Sequence, residues 1–336
     1  MATLAVITLL ALTRLAFPGP PLQARPAGLA ARSAPPSGSI RVVVAADGSG
    51  DFKTVQQAVD HAPPEGAGRL IIAIKPGTYH ERVTVPRDRP RVTFLGLGRN
   101  PAATVITYNM SAAAAGGTFF SSTVDVEGAQ FEASNMTFEN TFGRGSQAVA
   151  LAIHSDRAVF RKCRFIGWQD TLYAASGRQY YKNCFIEGAV DFIFGNAAAV
   201  FDHCEIHSVG DGYIAAESRT TPDGATGYVF YHCKLTGENT VKGVYLGRPW
   251  RPYSRVVYID CWMGSHIRPE GWNNWRNPAN EKTAWFAEFG SKGPGAKPGA
   301  RARWAHSLTA AEAKAFYPAA FLRGGDGWDP AQERGK

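Results

Sequence analysis

The apolar positions of this chain recur in a fixed frame rather than with a helical period. In five places an aromatic residue stands three positions before a cysteine and an apolar residue two after it. The sets are Phe160/Cys163/Phe165, Tyr181/Cys184/Ile186, Phe201/Cys204/Ile206, Phe230/Cys233/Leu235 and Tyr258/Cys261/Met263. Phe131/Ser134/Met136 fits the same frame with serine in the cysteine position, and successive sets are 29, 21, 20, 29 and 28 residues apart. Runs such as Val83-Thr-Val85, Ala158-Val-Phe160 and Val256-Val-Tyr258 read as short strands, and long amphipathic helical patterns are scarce. A repeat of that length, with short strands and variable loops, predicts a solenoid of parallel strands.

The ends differ from the coils. Ile40 to Val44 opens the folded part, and Thr54 with Gln57 three residues later forms a capping box for a short helix stopped by Pro63-Pro64. Coils are expected from about Arg69 to Ile267, followed by a basic Gly/Pro-rich loop from Gly290 to Arg303. Thr309 and Glu312 form a second capping box, opening a helix to about Tyr317. Short helices at either end of a solenoid would hide its open strand edges. Residues 1–24 read as a secretory signal with Leu22-Gln-Ala24 as its cleavage site, although the usual basic start is missing. Residues 25–39 read as a Pro/Ala/Arg-rich disordered linker, and residues 40–330 as the solenoid domain. The apolar run from Ala2 to Leu12 is too short to span a bilayer, and nothing later reads as a membrane span.

Composition narrows the picture. Hydrophobic residues make up 45% of the chain, so a packed core is available, and 36 glycines and 21 prolines suit many tight turns. The formal charge is +8; removing Arg14, Arg25 and Arg32 of the first forty residues, which hold no acid, leaves 8 − 3 = +5. A basic secreted protein suits a polyanion such as acidic polysaccharide. No zinc-finger spacing or RNA-binding signature supports nucleic acid. Two sequons, Asn109-Met-Ser111 and Asn135-Met-Thr137, fit a secreted glycoprotein. Five cysteines cannot all pair; stacked on successive coils they form either bridges or a buried thiol ladder.

The frame also carries chemistry. Asp170 lies seven residues after Cys163, and Asp191 seven after Cys184. In stacked coils these carboxylates become neighbours, roughly 5 Å apart at the backbone. Asp211 lies seven after Cys204, so register alone does not choose the pair, but Gly210-Asp-Gly212 reads as an ordinary turn. Two adjacent carboxylates do not both ionise comfortably, so one pKa rises unless a cation offsets the repulsion. Arg248 is the candidate cation, able to grip one carboxylate by two hydrogen bonds. The amides of Gln169 and Gln147 suit a developing oxyanion. No Gly-x-Ser-x-Gly or phosphate loop is present, and His203 and His207 on a strand sit too far apart to chelate zinc easily.

At these motifs the chain resembles the plant pectin methylesterases. The residues that carry the resemblance are Gly77-Thr-Tyr-His-Glu81, Gln147-Ala-Val-Ala-Leu151, Gln169-Asp-Thr-Leu172, Asp191-Phe-Ile-Phe-Gly195, Leu246-Gly-Arg-Pro-Trp250 and Pro269-Glu-Gly-Trp272. The resemblance spans about residues 40–328 and implies an all-β, right-handed parallel β-helix with short capping helices near the ends. It implies Asp191 as nucleophile, Asp170 as general acid/base, Gln147 and Gln169 as oxyanion donors, and Arg248 as partner of the nucleophile. Thr118, Phe194, Trp250 and Trp272, together with Gln147 and Arg248, match substrate-cleft positions. Two departures stand out. Ala152 occupies a position where the family usually has arginine, and only some forty residues precede the fold, as in the short subgroup without an inhibitor-like pro-region. Disulfides between stacked coils in the family imply a Cys204–Cys233 bridge.

The reading that follows is a pectinesterase, secreted to the cell wall and acting in cell wall modification. It hydrolyses the methyl esters of homogalacturonan to galacturonate and methanol, with no cofactor or metal. The expected partners are pectin and a proteinaceous pectinesterase inhibitor, with no nucleic acid or membrane, for a chain acting as a monomer. The rivals are a polygalacturonase, a pectate lyase holding Ca²⁺ with Asp211 added to the pair, and an inactive wall-binding β-helix.

Overall fold

The structure, a computed structural model, describes residues 38–61 and 68–332. The signal, most of the linker and Pro63-Pro64 lie outside the described residues. Every strand pairing among the described residues is parallel. One sheet of eleven strands runs in coil order from Ile40–Val44 through Ala158–Arg161, Arg178–Lys182, Ala198–Asp202 and Gly227–Tyr231 to His306–Ser307. A second network of thirteen strands holds two strips, which the long strands Phe185–Gly195 and Glu205–Glu217 join by bending from one strip into the other. Each coil therefore has three faces, and the chain is a right-handed parallel β-helix. Its strands begin at Ile40 and continue to Ser307, beyond both expected limits of the coils.

The frame is a set of internal ladders. Phe160, Tyr181, Phe201, Phe230 and Tyr258 are successive register partners. Their rings stack with centroids 4.8, 4.8, 4.8 and 4.3 Å apart. Inward positions on equivalent strands face the same way, so identical rings meet at the strand spacing. The Ser134 set does not join this ladder. Ser134 pairs with Arg161, Ala133 with Phe160 and Phe138 with Phe165, so the expected alignment is off by two residues. Met136, fully buried, takes the cysteine position instead. A backbone feature fixes that assignment. Asn135, Lys162, Asn183, His203, His232 and Asp260 all have φ between 51° and 56°, and each immediately precedes Met136 or a frame cysteine. These left-handed residues turn the chain at the same corner of successive coils.

The five cysteines are buried free thiols. The implied Cys204–Cys233 bridge is absent: Cys204 Sγ donates to the Tyr181 carbonyl at 3.3 Å and Cys233 Sγ to that of Phe201 at 3.1 Å. Cys184, Cys204, Cys233 and Cys261 each point a thiol at a carbonyl of the preceding coil, while Cys163 bonds the Arg161 carbonyl of its own coil, which makes a ladder of small apolar side chains. Of the two sequons, Asn109 is exposed. Asn135 spends its amide on the carbonyls of Gly96 and Gly98, at 3.0 and 2.7 Å, and a glycan there would replace one of those two N–H donors.

Both capping boxes form as expected. Thr54 caps the helix Val55–Asp60, whose Val55, Ala58 and Val59 face the core, and Glu81 accepts the otherwise free N–H groups of Val55 and Gln56. Thr309 caps Ala310–Ala313, followed by Lys314–Phe316 and Pro318–Phe321, which pack on the outside of the eleven-stranded sheet.

Candidate active site

Asp170 and Asp191 occupy equivalent positions on adjacent coils. Gln169 bridges Val190, and the Asp170 N–H donates to the Val190 carbonyl at 3.1 Å. Both aspartates are left-handed, with φ of 62° and 49°. Few residues other than glycine accept that conformation, and aspartate does so more readily than most. The turn aims both carboxyls outward into a cavity of about 240 Å³, lined also by Thr118, Gln147, Gln169, Phe194, Arg248 and Trp250. Asp211 does not join them. The register slips by three residues between the pairs Phe185↔Glu205 and Val190↔Tyr213, which carries Asp211 out of the row. It is exposed and accepts the N–H groups of Lys242 and Gly243 at 2.8 and 2.9 Å.

Arg248 singles out one of the two carboxylates. Its Nε and Nη2 donate to Asp191 Oδ1 and Oδ2 at 2.8 and 2.6 Å, a two-pronged grip. The guanidinium is held between the rings of Tyr213 and Trp275, 3.8 and 3.7 Å from their centroids. Burial pushes the Asp191 carboxyl above the usual carboxylate range, and Arg248 opposes that push. Asp170 has no hydrogen-bonded cation among the described residues. Burial first, and the charge of Asp191 second, raise it to about 8, against a weaker lowering by Arg248. The two sites therefore divide, with Asp191 ionising first and Asp170 holding its proton near neutrality.

The segment that carries Arg248 and Trp250 is anchored from beneath. The Glu217 carbonyl accepts the Trp250 N–H at 3.1 Å, and its carboxyl accepts the Arg255 N–H at 2.7 Å. Arg219 Nε donates to the Tyr253 carbonyl at 2.6 Å. Burial raises Glu217 to about 8, so this support under the site is neutral near pH 7.

Gln147 and Gln169 both line the cavity, and neither amide has a protein hydrogen-bond partner among the described residues. Phe194 stacks on Tyr173 at 4.6 Å, and Phe119 reaches over Tyr173 at 5.0 Å, giving an apolar wall suited to sugar faces. Trp272 is the exception among the cleft residues expected from sequence. It is only 3% exposed and packs in the core against Phe286 at 4.6 Å. Its ring lies under Gly247, where a Cβ would approach it to 3.4 Å. Trp275 lines the cavity instead. A left-handed φ of 59° at Trp275 turns its ring toward Arg248, and the sequence Trp272-Asn-Asn-Trp275 gives no periodicity to say which indole faces out. Phe119 and Tyr213 were also not legible, because each gains its place from packing across coils.

Comparison with known proteins decides what this site belongs to. Residues 41–326 match the Pectinesterase family model. The chain belongs to the pectinesterase family. Pectinesterase 31 of Arabidopsis thaliana is 43% identical over 304 residues, covering 87% of this chain and 93% of that protein. The solved pectin methylesterase from carrot superposes with a TM-score of 0.82 at 38% identity, covering 88% of this chain and 96% of that one. A solved pectin methylesterase in complex with a hexasaccharide superposes at 0.73 with 29% identity, covering 86% and 97%. Within the pectinesterase fold of this chain, Ala152 is 1% exposed and sits between Asp125 and Tyr173 in the register.

Proposed function

We propose that this pectinesterase demethylates homogalacturonan through Asp191 as nucleophile and Asp170 as general acid and base. The observation that carries the reading is the unequal treatment of two adjacent buried carboxyls: Arg248 grips Asp191 with two hydrogen bonds and makes none to Asp170. An Asp191 oxygen attacks the ester carbonyl carbon, and the charge that develops on the carbonyl oxygen is met by the Gln147 and Gln169 amides. The bond to the methoxy oxygen breaks as Asp170 gives up its proton, and methanol leaves. The acyl group now forms an anhydride with Asp191. Asp170, now ionised, takes a proton from water, and the hydroxide attacks the acyl carbon. Galacturonic acid departs and gives its proton to solvent, Asp191 regains its carboxylate, and Asp170 keeps the proton it took from water. No step needs a metal.

The aromatic wall and the open cavity suit a polysaccharide, and the basic balance of the chain suits the acidic polymer that the reaction produces. A cell-wall location, action as a monomer and blockade by a proteinaceous inhibitor seated over the cavity complete the reading. No helix among the described residues is long and apolar enough to cross a membrane.

One assay on highly methylated pectin separates the rivals. Methanol with matching new carboxylate supports the esterase. New reducing ends would mean a glycosidase, unsaturated ends a lyase, and binding without products an inert wall protein. Gln169→Ala should lower kcat about 10²-fold with a smaller change in KM, as expected for a donor that acts mainly on the developing oxyanion. An unchanged kcat would remove Gln169 from that role.

A further inference from the structure

The cavity does not end the cleft. The middle residues of Val124–Val126, Leu151–Ile153 and Leu172–Ala174 are register partners, in the order Asp125, Ala152, Tyr173. The row continues to Phe194 and Ala216, both of which line the cavity. Each step is one strand spacing, so Asp125 lies about 10 Å along the helix axis from Tyr173 and about 14 Å from Phe194. A polymer stacked on the Phe194–Tyr173 wall and running along the axis passes over it.

Asp125 is poorly compensated. Its side chain is 26% exposed, while Oδ1 is buried without a hydrogen-bond partner. Four charged or titratable groups face it: His154, Glu127, Arg82 and Tyr173. His154 Nε2 stands 3.8 Å from Oδ1, beyond hydrogen-bond range. Arg82 donates instead to the carbonyls of Ser122 and Phe120, at 3.0 and 2.8 Å. Ala152, the next residue in the row, supplies no cation.

We infer that Asp125 is a specificity-determining residue: it disfavours a free galacturonate carboxylate on the polymer a few sugars from the ester under attack, and so selects segments whose neighbours are still methylated. The inference rests on the esterase reading above. A methyl ester is neutral, and the product of each turnover is an anion. Burial already raises the Asp125 carboxyl, so a second carboxylate brought beside it with no cation clamped between either meets its charge or must force a proton onto it, whereas an ester passes without that cost. A stretch already demethylated on that side becomes a poorer substrate. Demethylation then proceeds preferentially into stretches still methylated on that side.

The test compares kcat/KM on fully methylated and on half-demethylated pectin of equal length, for the wild type, Asp125→Asn and Asp125→Arg. Salt of about 0.15 M, where the Debye length is about 8 Å, suppresses the contribution of distant surface charges. Asp125→Asn should raise kcat/KM on the half-demethylated polymer about threefold to tenfold, and leave the fully methylated one within about twofold. Asp125→Arg should move the ratio further the same way. A loss of folded protein scales both substrates equally and leaves the ratio unchanged. An unchanged ratio in both variants overturns the inference while the esterase reading stands. A wild type that releases no methanol from fully methylated pectin overturns both.

Discussion

Replacing Asp191 by alanine should lower methanol release by about 10⁴-fold or more, because the carboxylate proposed to form the acyl intermediate is gone. The Arg248 fork loses both of its acceptors in that variant. Removing one partner of a buried ion pair costs on the order of 3–5 kcal/mol, so the variant should also unfold at lower temperature. Asp191→Asn keeps the shape of the side chain and separates the two effects. It should fold closer to the wild type and remain as inactive, since an amide is a poor nucleophile. Kinetics on both variants, beside thermal unfolding, check this. Methanol release within tenfold of the wild type by either would place the nucleophile elsewhere.

Asp170→Asn should cost about 10²- to 10⁴-fold in kcat, the span expected for a positioned acid and base. The amide cannot hand a proton to methoxide and take one back from water. The wild-type pH profile should carry the same signature. Acylation requires Asp170 protonated, and its carboxyl is raised to about 8. As pH rises through about 8 the free enzyme loses that proton, and kcat/KM should fall. As pH drops, Asp191 takes up a proton and stops being a nucleophile, so kcat/KM should fall on the acid side too. The profile is a bell whose alkaline limb belongs mainly to Asp170. A kcat/KM that keeps rising well above pH 8 would contradict the assignment of the acid.

Much of this was readable from the chain because a solenoid turns sequence spacing into spatial neighbourhood. The constant offset from Cys163 to Asp170 and from Cys184 to Asp191 survives into the structure, since no insertion intervenes between those strands. It fails one coil later. The register slip in Glu205–Glu217 moves Asp211 away, and no local pattern in Ser208-Val-Gly-Asp211 announces a slip of that kind. The Ser134 set failed for a related reason: an aromatic three residues ahead is not unique to the frame. The left-handed corner residue, Asn135 beside Lys162 and Asn183, is the truer marker. The position of Trp275 rests on a positive φ in an irregular segment, which spacing does not encode. The thiols of Cys204 and Cys233 stayed apart because each points at a carbonyl of the preceding coil.

The measurement that bears most directly on the account is a borohydride quench during turnover on methylated oligogalacturonide. Borohydride reduces an aspartyl side chain activated as an anhydride to that of homoserine, and leaves free carboxylates unchanged. Peptide mass mapping should then find the conversion at Asp191, dependent on substrate and absent at Asp170. Conversion at a residue other than Asp191 would contradict Asp191 as the nucleophile.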